Sequence, residues 1–183
     1  MKLDGISPRP AGVRAHQGHL LANTGLNFSG DAVAAREAPQ FCNSPLSDLR
    51  GLDWSEVTIV MPALAEKPRQ RGGLIIAVEG RSLSILSGMG IRPDVVVTDF
   101  DFEPEKLIGY DGVVLGGHAH GDNMGIFKGY AGRMARIIPT VQSWPTGCSI
   151  LPPGFTDGDR AAYIAAYMGG HESSMSMGSS PMW

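Results

Sequence analysis

Asp99 and Asp101 follow the run Val95-Val96-Val97, one residue beyond it. Three β-branched residues in a row predict a strand buried on both faces, as in a parallel sheet, and Pro93 can open it without losing a ladder bond. If the backbone is still extended at the two acids, residues i and i+2 share a face, with Cα atoms about 6–7 Å apart. Two carboxylates so placed can grip one hard cation. Open parallel sheets bind ligands at the carboxyl ends of their strands, which is where this pair would lie. An Asp-x-Asp pair also begins many polar turns, so the rest of the chain has to decide.

Two more polar clusters follow in order. The first is Gly116-Gly117-His118-Ala119-His120-Gly121-Asp122-Asn123, behind the short apolar run Val113-Val114-Leu115. His118 and His120 could face one metal, but no cysteine or third histidine lies nearby to close a zinc site. Asp122 and Asn123 offer hard oxygens in a glycine-rich loop, which suit magnesium or phosphate better; a tight polar turn is the plain alternative. The second cluster is Gly154-Phe155-Thr156-Asp157-Gly158-Asp159-Arg160. Thr156 or Asp157 can cap a helix, and Asp159 suits a helix N-terminus electrostatically. Capping accounts for one acid, not for two acids and an arginine. A weaker feature is Glu79-Gly80-Arg81-Ser82, where Gly80 and Ser82 could contact phosphate, although a glycine after a strand usually only makes the turn.

The elements that must position these groups read as a parallel α/β unit. Strands are expected at 58–61, 74–78, 95–97, 112–115 and 136–141, the last with an awkward Pro139. A helix capped by Ser82 is expected to run to about Met89 and end at Gly88 and Gly90. Another is expected from the Thr156 region to Met168, closed by Gly169-Gly170, with a weak last strand at 173–178. Strand, glycine turn, short helix and strand make a βαβ unit. The expected architecture is thus a Rossmann-like three-layer α/β fold with a mainly parallel sheet. One catalytic domain would span 51–183, and residues 1–50 would form an N-terminal extension packed on it. Within that extension, 31–38 could be a short helix stopped by Pro39, and His16 and His19 are expected to be solvated.

Composition sets outer limits. The chain has 183 residues, 43% of them hydrophobic, enough for one domain with a core. A net charge of −3 gives no nucleic-acid footprint. No apolar run approaches the roughly 18 residues of a membrane span, and no signal peptide is apparent. Cys42 and Cys148 are expected to form neither a disulfide framework nor a thiol metal site, so a reducing cytoplasm is the expected compartment. The 25 glycines concentrate near the polar motifs, as expected where backbone approaches a ligand.

Taken together, Pro93–Asp101, His118–Asn123 and Gly154–Ala161, in that order, resemble the archaeal 6-hydroxymethyl-7,8-dihydropterin pyrophosphokinase family, itself related in fold to the catalytic domain of thiamine pyrophosphokinase. The resemblance covers about residues 58 to 178. It implies transfer of a diphosphate from ATP to the hydroxymethyl group of a reduced pterin, with magnesium as the metal and release of AMP, in pterin biosynthesis of the folate or methanopterin type. It implies that Asp99 and Asp101 hold magnesium on the phosphates and that Asp122 assists from the facing loop. It implies that His120, Gly121 and Asn123 contact phosphate or nucleotide, and that Thr156, Asp157, Asp159 and Arg160 complete the site. Asp101 and His120 are both candidates to take the alcohol proton. Three departures stand out. Where relatives often carry an acidic, glycine-containing turn, this chain has Glu79-Gly80-Arg81-Ser82. Where they often end near a Gly-Met-Asp-Phe-Gly-like segment, Ser176-Met177-Gly178-Ser179 lacks the acid, and the chain is short for the family. Expected partners are therefore ATP and a pterin alcohol, with no nucleic acid and no membrane; a homo-oligomer remains open. Alternative readings are a related kinase acting on another alcohol, such as thiamine, an enzyme handling nucleotide sugars, or a nucleotide-binding module without turnover.

Overall fold

The computed structural model describes residues 28–62, 73–169 and 172–176; His16, His19 and Gly178 lie outside them. Six strands form one all-parallel sheet: β1 Glu56–Val60, β2 Leu74–Val78, β3 Val95–Thr98, β4 Val113–Ala119, β5 Ile137–Val141 and β6 Glu172–Ser176. Their order is β5-β4-β3-β2-β1-β6, so the chain steps steadily from β1 to β5 and then returns to the far edge. The helices are α1 Phe28–Glu37, α2 Ser47–Arg50, α3 Glu79–Gly88, α4 Met124–Ala131 and α5 Asp157–Met168.

The apolar runs explain the layers. All five residues of β2 are buried, and alternate side chains feed opposite faces. Ile75 and Ala77 join a core that includes Ala34 and Ala35 of α1, Leu83 and Leu86 of α3, and Phe127 of α4. Leu74, Ile76 and Val78 join a second core with Leu49 of α2, Trp54, and Ala161, Ile164 and Ala165 of α5. A parallel sheet covered on both faces requires central strands without a polar side, and β2, Leu74-Ile75-Ile76-Ala77-Val78, has none. Each such aliphatic side chain contributes about 1.5–3 kcal/mol on burial. The alanines of α5 let that helix lie close on the sheet. Pro139 fits because β5 is an edge strand, and its carbonyl accepts from the Ile150 N–H at 3.0 Å.

Four details differ from the sequence-based expectations. Helix α3 begins at Glu79, not after Ser82, because Glu79 takes a left-handed backbone (φ 66°) that turns the chain straight from strand into helix. Ser82 is therefore inside the helix, fully buried, with no hydrogen-bond partner for its hydroxyl among the described residues. Strand β4 continues through the two glycines to Ala119, with a register shift between Gly116 and Ala119. This buries His118 within the strand, where a turn was expected. The backbone is not extended through the Asp-x-Asp pair: β3 ends at Thr98 and Phe100 is left-handed at φ 70°. The Thr98 hydroxyl accepts from the Phe100 N–H at 3.0 Å, steadying that turn.

Finally, Cys42 and Cys148 form a disulfide with Cα atoms 6.5 Å apart. Their separation of 106 residues hid this. They meet because the segment after α1 runs along the start of β5: Asn43 Oδ1 accepts from the Ile137 N–H at 2.7 Å and Asn43 Nδ2 donates to the Met134 carbonyl at 2.9 Å. The inference to a reducing compartment, which rested on unpaired cysteines, loses that support. Among the described residues no helix is long and apolar enough to cross a membrane.

Candidate metal and phosphate site

Three junctions of the fold each bring an acid: Glu79 opens α3 directly after β2, Asp101 lies in the loop after β3, and Asp157 opens α5. Glu79, Asp101 and Asp157 each present a carboxylate oxygen, and the three oxygens lie within 4.8 Å of one another. Asp99 sits against this trio. Its backbone N–H donates to Asp157 Oδ2 at 3.1 Å, and its Oδ1 accepts weakly from the Asp101 N–H at 3.4 Å. The left-handed turns at Glu79 and Phe100 let these side chains converge while Phe100 itself points into the core. Strained backbone of this kind, about 1–3 kcal/mol per residue, persists where surrounding structure holds it and gathers at functional sites.

The trio overlaps only in part with the ligands expected from sequence. Asp101 belongs to it. Asp122 does not: it is exposed on the loop after β4. Asp157 enters instead, and so does Glu79, which the sequence reading passed over as part of a turn. The available signal was position, since Glu79 follows β2 just as Asp99 follows β3.

The cluster is electrostatically frustrated. Burial, and then hydrogen bonding and repulsion from Asp99, push the Asp101 carboxyl up to about 7. Burial first and the Asp99 charge second raise Asp157, despite the opposing pull of Arg160. Glu79 is raised by the same two causes, with Arg81 acting the other way. Four carboxylates thus converge on a place where extra positive charge would be welcome. Oxygen-only donors that leave coordination positions to water are what magnesium prefers.

Other expected site residues have structural partners. Arg160 is buried; it donates to Asp157 Oδ1 at 2.5 Å and to the Phe155 carbonyl at 3.0 Å, so it is a counter-charge behind the cluster. Thr156 and Asp159 form a capping box on α5. The Asp159 carboxylate accepts from the Thr156 and Phe155 N–H groups, so it faces its own helix start. At Gly80 an added Cβ would fall 2.2 Å from the Glu103 carbonyl, so its bareness lets α3 pack on the loop that carries Asp101. Asn123 is buried and holds the loops together. Its Nδ2 donates to the Gly117 carbonyl at 2.9 Å and the Asp99 carbonyl at 3.3 Å, while its Oδ1 accepts from the His120 N–H at 3.0 Å. His118 and His120 have ring centroids 6.5 Å apart, with His118 buried and His120 half-buried. A separate cleft of about 650 Å³, lined by Arg92, Lys106, Tyr110 and Asp111 among others, contains none of the cluster residues.

No family model matches the chain. Similar curated proteins exist. Over 97 residues it is 39% identical to the 6-hydroxymethyl-7,8-dihydropterin pyrophosphokinase of Methanothermobacter thermautotrophicus, covering 52% of this chain and 41% of that protein. Over 103 residues it is 39% identical to the enzyme of the same name from Pyrococcus furiosus, covering 56% and 44% respectively. The Methanocaldococcus jannaschii protein of that name is 33% identical over 98 residues, covering 50% and 40%. The chain spans less than half the length of these curated relatives. The resemblance carried by the three motifs is thus a similarity of sequence, across about half the chain, to archaeal proteins named 6-hydroxymethyl-7,8-dihydropterin pyrophosphokinase.

Proposed function

We propose that the protein transfers the terminal diphosphate of ATP to the hydroxymethyl group of 6-hydroxymethyl-7,8-dihydropterin, in a magnesium-dependent reaction that releases AMP. The observation that carries this reading is the convergence of Glu79, Asp101 and Asp157 at the carboxyl ends of the strands. The names of the three relatives supply the acceptor. The alcohol oxygen would bond to the β-phosphorus as the bond from that phosphorus to the α-β bridging oxygen breaks, and AMP would leave with that oxygen. Such transfer depends mainly on positioning and charge stabilisation.

Magnesium held by Glu79, Asp101 and Asp157 would neutralise polyphosphate charge and fix its orientation. Asp99 would brace Asp157 through its N–H, and Arg160 would keep the Asp157 carboxylate aimed at the cluster. The alcohol proton needs a nearby carboxylate or imidazole to accept it. Asp101 and His120 are our two candidates.

The test is chromatography of the nucleotide products. AMP should appear only when magnesium, ATP and the pterin alcohol are all present. ADP as the product would mean ordinary phosphoryl transfer and would overturn the proposal.

A further inference from the structure

We propose that Asp31 is a positioning residue for the His120–Asn123 loop, which makes the segment ahead of the sheet a working part of the site. This rests on the reading of that loop as part of the active centre.

Asp31 lies in the first turn of α1 and is only 6% exposed. Its Oδ1 accepts from the backbone N–H of Gly121, 90 residues further on, at 3.0 Å. A hydrogen bond to an ionised acceptor is roughly twice as strong as a neutral one. An acid in a first turn also suits the helix dipole, but that needs neither burial nor a distant partner. The approach is close: a Cβ on Gly121 would fall 2.9 Å from the Gly30 Cα. Loop and helix meet this tightly only because residue 121 has no side chain. On its inner side the loop is tied by Asn123 to the Asp99 carbonyl. The loop is therefore clasped between α1 and the end of β3, between Asp31 and the Asp-x-Asp turn. Helix α1 is itself anchored. Glu37 pairs with Lys128 at 2.7 Å, Thr146 Oγ1 donates to the Ala35 carbonyl at 3.0 Å, and the Cys42–Cys148 disulfide follows directly. Loss of the Asp31 contact should shift His120 and Asp122 against Asp99 and Asp101 without altering any carboxylate of the cluster.

The experiment compares Asp31→Ala, Asp31→Asn and Ala34→Gly in the full chain. Ala34 is fully buried on the same helix and does not bond to the loop, so its variant reports loss of stability alone. Steady-state kinetics with magnesium, ATP and the pterin alcohol are read beside amide exchange at Asp99, Asp101, Gly121 and Asp122. Asp31→Ala should lower kcat by about tenfold or more, as misplacement of a reacting group does, while Mg²⁺ affinity stays at the parent value. It should also speed exchange at all four amides. Asp31→Asn, whose Oδ1 can still accept, should keep most of the parent kcat. A parent-like kcat in Asp31→Ala would overturn the proposal. So would an equal loss in Ala34→Gly at equal stability. If the parent itself shows no turnover, the proposed reaction fails, and the exchange arm alone decides on Asp31. Faster exchange at Asp99 and Asp101 in Asp31→Ala but not in Ala34→Gly supports positioning; unchanged exchange there refutes it.

Discussion

Asp101→Asn should abolish turnover and remove the thermal stabilisation that magnesium plus ATP gives the parent, while leaving the apo fold as stable as before or slightly more so. Burial and the neighbouring Asp99 hold the Asp101 carboxyl above the usual carboxylate range. An acid whose pKa is higher folded than unfolded binds more protons in the folded state between its two pKa values. Stability therefore falls as pH rises through that window, here from about 4 to about 7. Below the window both states are protonated and the penalty vanishes. Replacing Asp101 with the neutral amide removes its share of the repulsion, so the apo variant should gain relative to the parent at pH 8 and not at pH 4. The same change removes one cation ligand, and ligand-linked stabilisation should vanish with it by mass action. Melting curves at both pH values, with and without magnesium-ATP, read all of this. A variant that melts early yet keeps the full ligand shift would take Asp101 out of the site.

Arg160→Met should be the most destabilising single change at the site, because it strands Asp157. Both side chains are buried, at 4% and 5% exposure, and the guanidinium is the only cationic group bonded to that carboxylate among the described residues. Removing one member of a buried pair costs about 3–5 kcal/mol, since the other is left as an uncompensated charge. The cost should depend on pH in a stated direction. Without Arg160 the Asp157 carboxyl rises further, so the variant should be worst at pH 8 and recover toward pH 5 as Asp157 protonates. Adding Asp157→Asn to Arg160→Met should restore much of the loss, because the amide needs no counter-charge. Urea unfolding of the two single variants and the double variant at both pH values measures it. A small, pH-independent cost would show that the pair is solvent-screened and not what holds Asp157 in place.

The sheet was legible from the apolar runs because a strand buried on both faces leaves no other pattern, as in Leu74–Val78 and Val95–Val97. The helix with the Thr156 cap was legible for the same local reason. What escaped was whatever depended on partners distant in sequence. Asp157 and Asp159 look alike in the chain, but one faces Arg160 and Asp99 and the other satisfies its own helix start. Glu79 reads as a turn residue until β2 and β3 are laid side by side. The disulfide depends on a segment running along an edge strand, and Asp31 on a loop 90 residues away. The packing of Gly80 on Glu103 was hidden for a related reason, since no local pattern reveals a neighbour 23 residues away.

Glu79, Asp101 and Asp157 are expected to hold one divalent cation. Glu79 tests it best, because nothing in the Asp-x-Asp motif alone calls for that residue. Titration of Mn²⁺ into the apo protein, followed by electron paramagnetic resonance, should count one site per chain. Glu79→Gln should weaken that site by about tenfold or more, roughly 1.4 kcal/mol, while the apo protein melts no earlier than the parent. Parent-like Mn²⁺ binding in Glu79→Gln would take Glu79 out of the cation site.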